Sequence, residues 1–136
     1  MSGIGHFALQ QTIFTTLNND NTLTSTLGAT IADDVPHGTA YPFVQIGEGR
    51  GSDYSTKDID GGDFVFELHI WSQYKGSKEC KQIMDRCHDL LHDSSLSVSG
   101  FNLINLRFDF SDIMRDSDGS TRHGVMRFRA IILGTT

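Results

Sequence analysis

The chain predicts an α+β fold: a single domain in which an antiparallel β-sheet carries two main helices packed on one face. Strict apolar alternation over residues 104–110 and 125–133 marks two half-buried strands. Two other stretches, 4–18 and 77–92, repeat their apolar residues at helical spacing. The resulting order is helix, strands, helix, strands, with hairpin-length links between the best-defined strand pairs, the pattern of an antiparallel sheet with segregated helices. A length of 136 residues suits one domain with a real core, and no repeat or linker divides it.

The first helix places Leu9, Ile13 and Leu17 four residues apart, with Phe7 and Phe14 expected to widen the stripe and Gln11, Thr15 and Asn18 opposite. Asn19-Asp20-Asn21 should end it, leaving Leu23 and Leu27 to pack from a short turn. Residues 30–32 form a brief strand before a loop over 33–38. Residues 41–47 read as a strand with Pro42 at its start, where a missing N–H is tolerated.

Residues 47–63 are almost all Gly, Ser, Asp and Thr, and read as one long loop. Such a segment has too little apolar surface to offset the entropy of ordering, so mobility is expected in the isolated subunit. Residues 64–71 are a strand with Phe64, Phe66, Leu68 and Ile70 inward and Val65, Glu67, His69 and Trp71 outward. The second helix opens at Gly76-Ser77 and buries Cys80, Ile83, Met84, Cys87, Leu90 and Leu91. A short segment over 96–98 leads into the final hairpin. There Ile104, Leu106, Phe108 and Phe110 should share the inner side with Met126, Phe128, Ala130 and Ile132. Asp118-Gly119 supplies the positive-φ position of the connecting turn.

Composition narrows the function. The formal charge of −6 opposes sequence-independent binding of nucleic acid, which needs a positive surface. No apolar run approaches the ~20 residues of a membrane span, and the N-terminus lacks a signal-peptide pattern. A soluble protein made in the cytoplasm is expected. On one helix, Cys80 and Cys87 would stand about 10 Å apart, beyond the ~7 Å limit for a disulfide, so both read as buried reduced thiols.

Candidate chemistry fails on spacing. Gly47-Glu48-Gly49-Arg50-Gly51 has no helix N-terminus after it to receive a phosphate. Asp58-Ile59-Asp60-Gly61-Gly62-Asp63 and Asp116-Ser117-Asp118-Gly119 lack the distal Glu of a calcium loop. His88 and His92 share a helix face without further zinc ligands, and no Ser sits in a nucleophile elbow. The expectation is no enzyme, no catalytic residue, no metal and no cofactor.

The outer side of the sheet is more telling. It carries Arg107, Asp109, Arg127, Arg129 and Glu67 among aliphatics, a composition suited to meeting another protein chain. Trp71 lies on the same side, either covered by neighbouring chain or serving as an interface anchor. In the long loop, Arg50, Tyr54, Lys57 and Ile59 are spaced as contact residues on an extended arm.

The order of motifs then becomes recognisable. A helix and Leu23/Leu27 precede Val35-Pro36-x-Gly38 and Tyr41-Pro42-Phe43-Val44-Gln45-Ile46-Gly47. An Asp/Ser-rich loop, a strand ending Ile70-Trp71-Ser72 and a helix ending Leu90-Leu91 follow. The chain closes with Arg115-Asp116-x-Asp118-Gly119-x-Thr121-x-His123-Gly124 before a strand. Over nearly its whole length it resembles the tail-completion, or tail-terminator, proteins of long-tailed bacteriophages and phage-derived gene transfer agents. The resemblance implies an α+β subunit and a ring, usually a hexamer, that caps the finished tail tube and offers its other face to the head connector. It implies a virion protein at the head–tail junction, assembled in the host cytoplasm, with DNA passing through unbound, and no membrane. It carries over no catalytic residues. Two alternatives stay open: a neck or head-completion protein of the same kind of particle, and a small ligand-binding or enzymatic α+β domain.

Overall fold

A computed structural model describes residues 3–47 and 49–135. Helix α1 (His6–Asn18) leads through a π-helical turn (Thr22–Thr26) to strands β1 (Thr30–Ala32), β2 (Phe43–Ile46), β3 (Arg50–Asp53) and β4 (Gly61–Ser72). Helix α2 (Lys78–Leu91) follows, then β5 (Phe101–Arg115) and β6 (Arg122–Gly134). The strands form one sheet in the order β1-β2-β4-β6-β5, with β3 also paired to β4. β2 and β3 thus occupy successive lengths of the same side of β4, β2 against Leu68–Trp71 and β3 against Gly62–Val65. The sheet is mixed rather than wholly antiparallel, because β1 joins β2 in parallel.

Both helices cover one face, as the alternation requires. Leu9, Ile13 and Leu17 of α1 and Cys80, Ile83, Met84, Cys87 and Leu91 of α2 are buried. They meet Phe64, Phe66, Leu68 and Ile70 from β4 and Met126, Phe128, Ala130 and Ile132 from β6 in one core. Asp20 ties the layers together: its carboxylate accepts from the Leu23 amide and from Arg86 of α2 at 2.6 and 2.9 Å. That guanidinium holds the Asp20 carboxyl below its ordinary range.

Some expectations fail for local reasons. Phe7 is 75% exposed and Phe14 37%. At 3.6 residues per turn, Phe7 falls on the far side of α1 from Leu9, and Phe14 lies a quarter turn past Ile13. On β5, Ile104 and Phe110 are exposed, not core. Register shifts between Leu103 and Asn105 and between Phe108 and Phe110 each insert a residue, and one extra residue reverses which side the following side chains face. Leu106 and Phe108 pack inward as expected, joined by Leu103 and Ile113 in place of Ile104 and Phe110.

The segment 47–63 is not one irregular loop, since it contains β3 and forms a hairpin with a longer β4. A Cβ at Gly51 would stand 2.7 Å from Phe64 and 2.8 Å from His6, so this glycine permits close packing on the core. Gly119 has φ +79°, as the β5–β6 turn requires. Asp118 accepts from the amides of Ser120 and Thr121 and from the Thr121 hydroxyl, which brings its pKa down to about 2.

Candidate assembly face

The sheet face away from the helices is ordered by cross-strand register. One row runs Met114–His123–Trp71–Phe43 across β5, β6, β4 and β2. The next rows run Asp112–Val125–His69–Gln45, then Phe110–Arg127–Glu67. Another runs Arg107–Arg129–Val65–Arg50, ending on β3. Directly opposed residues are close enough for side-chain contact, so the face grades from aromatic at one end to cationic at the other.

Contacts cross the rows as a continuous chain. Arg127 bonds Glu67 at 3.3 Å and lies over the Phe110 ring at 5.3 Å. Glu67 faces His69 Nε2 at 3.2 Å, and His69 Nδ1 bonds His123 Nε2 at 2.8 Å. The His123 ring stacks on Trp71 with centroids 3.7 Å apart, and Trp71 stacks on Phe43 at 6.2 Å. Burial first, and then the neighbouring His69, push the His123 pKa below its ordinary 6.5. The cover over Trp71 is therefore its own register neighbours. Its indole Nε1 is buried without a hydrogen-bond partner among the described residues. Arg129 makes a two-pronged pair with Asp63, its Nε 3.0 Å from Oδ1, which holds the Asp63 carboxyl low.

Of the residues singled out from sequence, Arg50, Glu67, Asp109 and Arg127 line one shallow concavity of about 470 Å³ with Gly49 and Val65. Arg129 and Trp71 belong to the same face. Arg107 turns to the sheet edge and pairs with Asp93 at 3.0 Å. Tyr54, Lys57 and Ile59 stand apart at the β3–β4 hairpin, where the Tyr54 amide bonds the Gly61 carbonyl at 2.9 Å and Tyr54 is 47% exposed. Sequence reading missed His123, Phe43, Phe110 and Met114, because only the pairing register brings them together. Among the described residues no cluster of His, Cys, Asp or Glu is placed to hold a metal. His92 uses Nδ1 to accept the Phe108 amide at 2.9 Å. No helix among the described residues is long and apolar enough to cross a membrane.

Comparison with known proteins now decides the family. The family model described as Tail completion protein gp17 matches residues 11–133. The chain belongs to this tail completion family. It is 27% identical over 92 residues to Tail completion protein gp17 of Bacillus phage SPP1, covering 68% of each chain. A chain in the virion of a native gene transfer agent particle superposes with TM-score 0.83 at 26% identity, over 93% of this chain and 95% of that one. The structure of bacteriophage SPP1 gp17 shares the fold, with TM-score 0.63 at 21% identity over 90% of this chain and 87% of that one. The tail-completion resemblance and the α+β fold read from sequence both hold.

Proposed function

We propose that this tail completion protein is a structural component of a phage-like virion, acting at the head–tail junction as a closed ring of six subunits. The ring caps the completed tail tube, joins it to the head connector, and lets DNA pass without specific binding. It assembles in the host cytoplasm and needs no catalysis. The observation that carries this reading is the family match over almost the whole chain, supported by the likeness to a chain of a gene transfer agent virion.

Two surfaces of the subunit support this reading. Rotationally closed assembly uses two different complementary surfaces on each copy. The graded outer face, with Arg127, Arg129, Glu67 and Trp71, is one candidate. The hairpin tip, with Tyr54, Lys57 and Ile59, is a second, separated from it along β4. Acidic charge lining the hole would not retain phosphate.

Mass measurement in solution and with purified tail tubes tests this. A hexamer that binds tube ends is expected. A ring that bound only the head portal would move the assignment to a neck protein. A stable monomer holding a small molecule would overturn it.

A further inference from the structure

Strand β5 ends the sheet, with β6 along one of its sides. The link that leaves α2 lies along the other side at Leu106–Phe108. There the Asp93 amide donates to the Leu106 carbonyl at 2.8 Å, and the Phe108 amide donates to His92 Nδ1 at 2.9 Å. In a regular antiparallel ladder the Asp93 amide would be one rung, and the Leu91 carbonyl would accept from Phe108 as the next. That carbonyl is engaged elsewhere, accepting from the Ser94 amide at 3.3 Å and the Ser94 hydroxyl at 2.8 Å. The His92 imidazole therefore stands where a strand carbonyl would. Asp93 makes the bend with φ +53°, left-handed backbone that Asp tolerates better than most residues. Arg107 fastens the Asp93 carboxylate at 3.0 Å.

The exchange of imidazole for carbonyl makes this rung titratable. A carbonyl accepts at any ordinary pH, whereas an imidazole nitrogen accepts only while it carries no proton. The backbone N–H of Phe108 is a fixed donor, so His92 is neutral here with its proton on Nε2. Protonation turns Nδ1 into a donor aimed at another donor, and the Phe108 amide loses its partner. From α2, the His88 ring stacks on His92 with centroids 4.8 Å apart, and His88 Nδ1 lies 3.4 Å from Asp89. From the link, Asp93 Oδ2 stands 3.6 Å from His92 Nε2, and from β5 Arg107 holds the other oxygen of that carboxylate. The Phe108 ring meets His88 edge-on at 5.3 Å and Phe128 at 5.6 Å, which anchors β5 beside the clasped amide.

We propose that His92 is a pH-sensitive clasp on the sheet edge. Neutral, it pairs the α2–β5 link to Leu106–Phe108 and closes that stretch to other strands, since an open edge is a template for pairing. Protonated, it releases the Phe108 amide and loosens the link, while β5 stays paired to β6. Histidine is the side chain suited to such a change near neutral pH. The inference stands independently of ring formation.

The test is amide hydrogen exchange of the full chain, read by NMR as protection relative to an unstructured peptide at the same pH. Lowering the pH from about 7.5 to about 5, across the histidine range, should cut protection of the Phe108 amide about tenfold, the scale of one lost hydrogen bond. The Arg107 amide, which alternation turns toward β6, should change far less and serves as the internal reference. His92→Asn offers an oxygen near the Nδ1 position that takes up no proton, so Phe108 should stay protected at both pH values. His92→Ala should lose the protection at both. In the parent, imidazole nitrogen spectra at the higher pH should place the His92 proton on Nε2. A proton on Nδ1, equal loss at Phe108 and Arg107, or no loss at Phe108 would each overturn the proposal. A parental pH response retained in His92→Asn would place the switch on another group, His88 first, and overturn it equally.

Discussion

His69 and His123 share one hydrogen bond across the β4–β6 pairing, Nδ1 to Nε2 at 2.8 Å. One nitrogen of that pair must donate and the other accept, so the bond cannot survive protonation of both. Among the described residues, Glu67 lies against His69, Arg127 pairs with that same Glu67, and Asp116 acts on His123 from the turn. Because His123 has a lowered pKa in the fold, the unfolded chain takes up a proton first as pH falls. Stability should therefore be flat above about pH 6.5 and decline from there toward the lowered value. Trp71 is the sole tryptophan and touches His123, so its fluorescence should report the same transition. His123→Phe keeps a stacked ring and should remove this part of the slope. An unchanged pH profile in that variant would show that the histidine pair is not its source.

The buried thiols give an independent check on α2. Burial raises Cys80 to about 11 and Cys87 to about 12, with nearby Glu79 adding to the first and Asp20 to the second. Thiolate is the reactive form, so neither should react with an aromatic disulfide reagent at pH 8 while the protein is folded. Both should react on unfolding, and Cys80 should be the first to respond as pH is raised. Rapid native labelling of both would contradict the packing of α2.

An element is legible in the sequence where its own residues carry the burial pattern, and illegible where pairing decides it. Helices and the strands β4 and β6 announce themselves because each buries one continuous side, as with Phe64-x-Phe66-x-Leu68-x-Ile70. For β5 the alternation places Leu106 and Phe108 correctly and misplaces Ile104 and Phe110, the two ends of the expected strand, which the register shifts turn outward. Its bulges arise from pairing with β6, and no residue type marks them. β3 was missed because Gly51 contributes closeness to Phe64 rather than an apolar side chain. The outer face was partly visible through its arginines, while the His123–Trp71 stack depends on a register that joins residues 52 positions apart.

Where α2 crosses β6, the fit has little tolerance. A Cβ placed on Gly124 would stand 2.7 Å from Met84 Sδ and 2.9 Å from Cys80 Sγ. Gly124→Ala should therefore push the helix from the sheet and cost about 1–3 kcal/mol, the usual scale for overpacking. Urea unfolding should show a lower midpoint with little change in slope. Met84→Ala in the same chain should recover part of the loss by vacating the space. Additive losses instead of recovery would mean that the strain is relieved elsewhere.

The hairpin tip offers the sharpest separation of folding from assembly. The amide of Tyr54 bonds the carbonyl of Gly61 at 2.9 Å, so the chain is already closed at that point. Residues 55–60 can be replaced by Asn-Gly, a two-residue link suited to a tight hairpin, with β3 retained. Among the described residues, the one long-range backbone contact removed is Gly134 N–H to the Asp60 carbonyl, worth about 1 kcal/mol. Deleting the whole 51–61 segment is a poorer test, because it also strips β3 from buried Phe64. The short-tip protein should melt within a few degrees of the parent and remain a folded subunit. Lys57 and Ile59 go with the tip, so ring formation or tail capping should fail if they are contact residues. Rings and completed tails at parental yield would reduce the tip to a connector and leave the outer sheet face as the contact surface to pursue.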